Sequence, residues 1–168
     1  MIENEFIASK FANVGNILNR RADATAIISG GPMHTGINGI AQFYQTRHGV
    51  IVASSVNGLP YSNGKCEGKI YAYHIHEGDS CTGNMNDPFA DAMAHYNPDN
   101  CLHPEHAGDL LPLLANQGYA FSMFLTDRFK VSDIIGKTII IHAGVDDFTT
   151  QPSGNSGAKI ACGVIKAQ

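Results

Sequence analysis

Five of the eight histidines in this 168-residue chain fall within 33 positions: His74, His76, His95, His103 and His106. Asp109 follows closely, and a sixth histidine, His142, ends the apolar run Thr138-Ile139-Ile140-Ile141. Neutral imidazole is the common protein ligand for zinc and copper, so a cluster this dense constrains the fold to one that can gather these rings around an ion. A tetrahedral ion takes four ligands, fewer than are present here. The excess asks for two metal ions, or for one ion and a supporting site.

The spacing refines this. Lys69 to His76 reads as a strand, so His74 and His76 leave one face of it while Tyr73 and Ile75 leave the other. His95 lies eight residues before His103, His103 three before His106, and Asp109 three beyond His106. Three imidazoles and one carboxylate make a complete, closed zinc site. His142 ends a predicted strand, where rigid backbone can aim it. His34 and His48 have no comparable partners and read as ordinary turn or loop residues.

Eighteen glycines with only 15% charged residues suit a turn-rich β protein better than a helical bundle. The predicted strands are Ala24–Ser29, Gly36–Thr46, Val50–Val56, Lys69–His76, Tyr119–Leu125, Lys137–His142 and Lys159–Ile165. Arg47-His48-Gly49 reads as a tight hairpin turn between the second and third. Glu77 to about Gln117 has little strand character and carries Pro88, Pro98, Pro104 and Pro112. A long loop bearing ligands is expected to be functional. Ile2, Phe6, Phe11, Val14, Ile17 and Leu18 recur at roughly helical spacing, which predicts one amphipathic helix over residues 1–21, packed on a single domain of residues 22–168. A partner or dimer surface is the alternative for that helix. Glu3, Glu5, Lys10, Arg20 and Arg21 interrupt any apolar stretch there, unlike a secretory signal. The cytoplasm is therefore expected, or a secreted or periplasmic location for a processed chain. The net charge of −4, with no basic stripe, argues against nucleic-acid binding. No apolar run reaches the length of a membrane span.

Several motifs together resemble the copper/zinc superoxide dismutases. They are His74-Ile75-His76-Glu77, His95-Tyr96-Asn97-Pro98, His106-Ala107-Gly108-Asp109-Leu110, Gly136 to His142, Asp146-Asp147, and Gly154 to Ile165, with Val56-Asn57-Gly58-Leu59-Pro60 before the first ligand strand. Order and approximate spacing hold from about Ala22 onward, and residues 1–21 lie outside the resemblance. It implies an all-β fold: an eight-stranded antiparallel Greek-key β-barrel, a flattened immunoglobulin-like sandwich with a long metal-binding loop.

By the same resemblance, copper would be held by His74, His76, His95 and His142, and zinc by His95, His103, His106 and Asp109. His95 would be the bridging imidazolate, and Asp146 would link His74 to His103 from behind. The implied activity is dismutation of superoxide to oxygen and hydrogen peroxide by Cu(II)/Cu(I) cycling, with zinc structural and with His95 and Lys159 catalytic. The alternative is a metal-binding relative, storing copper or zinc or structural, with little or no dismutase activity. The family contains monomers and homodimers.

Two departures stand out. Lys159 occupies the position where the family usually has an arginine; it keeps the charge and loses the planar fork of donors. A solvated surface lysine is the alternative reading of Lys159. The loop from Phe148 to Ser153 is shorter than in many relatives and carries no charge. The resemblance also implies a Cys81–Cys162 disulfide, stabilising by on the order of 4 kcal/mol in the chain-entropy model. Cys66 and Cys101 are extra. A second bridge between them would pin the metal loop, with free thiols or thiolate ligands as the other readings.

Overall fold

The computed structural model describes residues 15–17, 19–64 and 70–168. Its strands are β1 (Ala24–Gly30), β2 (Asn38–Thr46), β3 (Gly49–Asn57), β4 (Ile70–Tyr71), β5 (Tyr73–His76), β6 (Leu113–Asn116), β7 (Tyr119–Thr126), β8 (Thr138–His142) and β9 (Lys159–Ala167). All pairings are antiparallel, in the order β4-β6-β7-β3-β2-β1-β9-β8-β5. The two ends of this order, β4 and β5, are separated only by Ala72. One run, residues 70–76, therefore pairs with β6 through its first half and with β8 through its second, which nearly closes a barrel. Counted as one strand, it leaves the eight of the Greek-key barrel. The pairings of β3 with β7, of β5 with β8 and of β1 with β9 join strands that are not consecutive in the chain, as that topology requires.

The barrel is filled by alternate residues, as a period of two requires. In β1, Ala24, Ala26 and Ile28 are buried while Ile27 is exposed. Phe43, Val52, Tyr73, Ile75, Ile139 and Ile141 join the same core. Tyr44, Ile51 and Ala53 form a separate cluster, with Ile17 packed against it. The predicted helix over residues 1–21 lies mostly outside the described residues; Gly15, Asn16 and Ile17 are helical.

One strand was not expected. β6 falls inside the stretch read as strand-free, because only Leu113 and Ala115 of its four residues are buried and Pro112 precedes it. It forms through its hairpin with β7, turned at Gln117 and Gly118, both with positive φ. The loop also contains a short 3-10 turn at Ala90–Ala92, and a single helical turn at Val131–Ile134 precedes β8. No helix among the described residues is long and apolar enough to cross a membrane.

β5 and β8 are buried along their whole length. Their inward residues fill the core. On the other face lie His74, His76, Ile140 and His142, covered by the long loop rather than by water. Phe89 and Ala92 of that loop pack on Ile140 and Cys162. The Cys81–Cys162 disulfide ties the loop to β9 across a sequence separation of 81.

Candidate metal centre

The ligand face of β5 is set by its backbone ladder. β5 pairs with β8 on one side, opposing His74 to Ile140 and His76 to Thr138. Two segments of the long loop pair with its other edge. The amide of Ile75 donates to Gly108 O at 2.9 Å, and that of Tyr96 donates to Ile75 O at 2.8 Å. Isolated bridges result, His76 opposite His95 and His74 opposite Asp109. Bridged partners share a sheet face, so His95 and Asp109 come down beside the two strand histidines. Gly108 permits this approach, since a Cβ there would lie 2.2 Å from Ile75 O.

Two buried groups follow: His74, His76, His95 and His142, and His95, His103, His106 and Asp109, each with candidate ligand atoms within 4.8 Å of one another. Tetrahedral ligands about 2.1 Å from an ion lie about 3.4 Å apart, so both groups come close to the size of a metal site and sit slightly wide of it. The groups share His95. Its Nδ1 lies 2.7 Å from Asp109 Oδ1, and its Nε2 is buried without a partner. His74 Nδ1, His103 Nδ1 and His106 Nδ1 are likewise buried and unbonded, the last two 3.0 and 3.3 Å from Asp109 Oδ2 without hydrogen-bond geometry. His76 Nε2 and His142 Nε2 face each other at 3.2 Å. Buried polar atoms are normally satisfied, and four orphaned imidazole nitrogens in one place are what absent cations leave behind. The residues fit metal ions.

The family model for copper/zinc superoxide dismutase matches residues 37–165. The chain belongs to this family. It is 35% identical over 153 residues to a Cu-Zn superoxide dismutase of Legionella pneumophila, covering 86% of this chain and 87% of the relative. A Cu-Zn superoxide dismutase of Aquifex aeolicus is 32% identical over 143 residues, covering 76% and 78%. The copper chaperone for superoxide dismutase of Homo sapiens is 30% identical over 156 residues, covering 84% of this chain and 52% of the relative. Copper and zinc are the metals of this family, and the two histidine-rich groups suit them.

Behind the histidine-rich groups, single hydrogen bonds orient the rings. Asp146 takes His74 Nε2 on Oδ2 at 2.8 Å and His103 Nε2 on Oδ1 at 2.9 Å. Burial would raise its carboxyl, but hydrogen bonds from His74, the Phe148 amide and His103 outweigh that and hold it at about 2. Gly154 packs on this link at φ 65°; a Cβ there would meet Asp146 Oδ1. His76 Nδ1 bonds Met93 O at 2.8 Å, and His142 Nδ1 bonds Gly157 O at 3.1 Å. Burial lowers the pKa of His74, takes His76 well below its ordinary value, and takes His142 down to about 3, which keeps the rings neutral as metal ligation requires.

The centre opens on a cleft of about 850 Å³ lined by His76, His95, His142 and Lys159. Lys159 is neither free nor simply solvated. Its Nζ donates to Asp87 Oδ2 at 2.6 Å and to Phe89 O at 3.1 Å. Of the two extra cysteines, Cys101 is a free, exposed thiol and Cys66 lies outside the described residues. Asn97 pins that part of the loop, its side-chain amide bonding both the N–H and the C=O of Cys101 at 2.9 Å.

Three supporting residues carried no signal in the sequence. Asp87 pairs with Lys159 from far along the chain. Arg128 Nη1 donates to Pro104 O, His106 O and Asp109 O at 2.7, 3.1 and 3.3 Å. Gln151 accepts from the His103 amide at 3.0 Å and donates to its carbonyl at 2.7 Å. The uncharged loop from Phe148 to Ser153 thus serves as a buttress for His103.

Proposed function

We propose that the protein is a superoxide dismutase, with residues 22–168 as the catalytic domain and residues 1–21 as an extension. In this reading copper is held by His74, His76, His95 and His142, and zinc by His95, His103, His106 and Asp109. The observation that carries it is the pair of buried ligand groups sharing His95, with four imidazole nitrogens lacking any protein partner. Copper cycling between its +2 and +1 states would supply the chemistry: one superoxide is oxidised to oxygen, and a second, with two protons, is reduced to hydrogen peroxide.

The chain's own residues do the rest. His95 Nε2, buried and without a protein partner, is free to serve as a ligand atom in the reading that shares this ring between the two groups. His95 and Asp109, 2.7 Å apart, would help to hold the redox-silent zinc. Asp146 locks His74 and His103 into one orientation each. Lys159 supplies positive charge at the cleft for the anionic substrate. Disulfides persist best in oxidising compartments, so Cys81–Cys162 weighs toward the secreted or periplasmic location rather than the cytoplasm.

Metal analysis of protein purified without chelators is expected to give about one copper and one zinc per chain, since two four-ligand groups share one residue. A superoxide assay should then find activity in the wild type and less in Lys159→Ala. Inactivity of both after full metal loading would end the enzyme reading. The second reading is a metal-binding relative that stores or delivers metal, or keeps zinc for structure. Similarity to the human copper chaperone favours it. Delivery, however, calls for soft thiolates at an exposed site, whereas these ligands are buried imidazoles and a carboxylate. The visible spectrum of the copper-loaded protein separates an all-imidazole site from a thiolate one.

A further inference from the structure

We propose that Asp87 is a specificity-determining residue that masks the Lys159 ammonium at the mouth of the copper-side cleft and so sets the affinity of the centre for small anions. The inference rests on the dismutase reading for its substrate, and on the ion pair alone for its structure.

Among the described residues lining the cleft, Lys159 is the one lysine or arginine. It is therefore the local source of positive charge in a chain whose net charge is −4. An ammonium has three donors. Two are taken, by Asp87 Oδ2 at 2.6 Å and Phe89 O at 3.1 Å. With a carboxylate in contact, an approaching anion meets a dipole rather than a point charge, and attraction to a dipole fades faster with distance.

Ordinary surface pairs are loose and contribute little. This one is built. Asp87 Oδ1 accepts the Phe89 amide at 3.0 Å, and Asn84 Oδ1 accepts the amides of Asn86 and Asp87. Asp87 O in turn accepts from Asn84 and Ala90. The Cys81–Cys162 disulfide fastens this loop to β9, the strand that begins with Lys159. Burial would raise the Asp87 carboxyl, but the hydrogen bonds from Lys159 and the Phe89 amide win, and it stays ionised. The Lys159 side chain is 15% exposed and that of Asp87 is 39% exposed, so the acid stands on the solvent side of the base.

Asp87→Asn removes the charge while keeping an oxygen for the Phe89 amide. Azide, a small monoanion that ligates copper(II), is the probe, titrated optically on copper- and zinc-loaded full-length protein. Asp87→Asn should tighten azide binding about fivefold, within the range expected for unmasking one charge in a cleft. In the Lys159→Ala background the same change should alter affinity less than about twofold, since the double-mutant cycle isolates the coupling. Unchanged affinity, or an equal gain in both backgrounds, overturns the proposal. A second readout needs no metal. Acetylation of the Lys159 amine by an N-hydroxysuccinimide ester, followed by peptide mass spectrometry, should run several-fold faster in Asp87→Asn. An equal rate overturns the masking. A protein that takes up no copper fails the dismutase reading, and the labelling rate still decides the pairing.

Discussion

The edge of β5 and the loop excursion over residues 97–107 both carry candidate metal ligands, but they position them by different means. His74, His76 and His142 stand on paired strands, and His95 and Asp109 are bridged directly to β5. Their placement is a matter of backbone register. His103 and His106 stand on the excursion between the two bridged segments, without a ladder of their own. They are held by side chains reaching in from elsewhere: Asp146, Arg128, Gln151 and, further out, Asn97. Register is cooperative and hard to damage at one point, whereas a clamp can be removed by one substitution. The copper-side group should therefore be robust to distant substitutions and the zinc-side group sensitive to them.

Acid should act most strongly on the strand-borne histidines. Burial holds His142 down at about 3 and lowers His74 and His76, well below the ordinary value in the case of His76. In the unfolded chain these rings gain protons below about 6.5. Between those limits the folded, metal-free protein binds fewer protons than the unfolded chain. The stability these rings contribute is complete above pH 6.5 and is lost as the pH falls toward 3, at up to ~1.4 kcal/mol per unit for each ring. Asp109 behaves differently. Burial would raise it, but its hydrogen bond to His95 and the nearby histidines lower it, so its contribution is kept until the pH drops below 3.8. Urea unfolding of the metal-free protein should show stability falling steeply from pH 6.5 to 4, with a shallower slope in His142→Gln. A flat profile over that range would contradict the burial of the strand group.

Asp146 joins the two regions, with one oxygen on His74 and the other on His103. Asp146→Ala leaves two buried imidazole N–H groups without acceptors and should cost about 4 kcal/mol. Metal affinity should fall 10- to 100-fold, the usual loss when the partner of a ligating histidine is removed. Both sites should weaken together in a competition titration with a chelator. Loss at only one would mean that the strand-borne and loop-borne ligands are not coupled through this carboxylate.

The same division explains what could be read from the sequence. His74 and His76 were legible because a strand repeats every two residues, so two histidines two apart must share a face. His142 was legible as the end of an apolar run. The loop ligands gave themselves away by density, not by any local structure. β6 was not legible, because a four-residue strand behind Pro112 owes its existence to β7 and to the distant β4. Asp87, Arg128 and Gln151 were illegible for a further reason. Each acts on a residue or carbonyl far away in the chain, and a backbone carbonyl leaves no trace in residue identity. At Cys101 the turn is fixed by Asn97, which bonds backbone groups and so leaves no trace in residue identity either.

Arg128 tests mainly the clamp side. Its guanidinium draws the carbonyls of Pro104, His106 and Asp109 together, and Nη2 lies 3.6 Å from Glu105. Arg128→Ala should cost about 2 kcal/mol, since charged donors are lost but the carbonyls stay near water. Zinc should be released about tenfold more readily while copper retention changes little. Arg128→Lys should recover only part of this, because all three bonds leave one nitrogen, Nη1, and an ammonium on the shorter lysine stem does not reach its position. Equal loosening of copper and zinc would show that the excursion is not an independent unit.

Gln151 gives the smallest effect and the sharpest location. Its amide makes two hydrogen bonds, both to the backbone of His103, and none to a ligand atom. Gln151 is exposed, so water can replace much of what Gln151→Ala removes, and the cost should be about 1 kcal/mol. That loss should appear at His103 rather than across the barrel. Amide hydrogen exchange of His103 should speed up several-fold, with no change in β5 or β8. A shift confined to the excursion would mean that its ligands are held by a set of separable contacts. Faster exchange in β5 as well would mean that the ladder and the clamps form one cooperative unit, and the contrast between the two regions would fail.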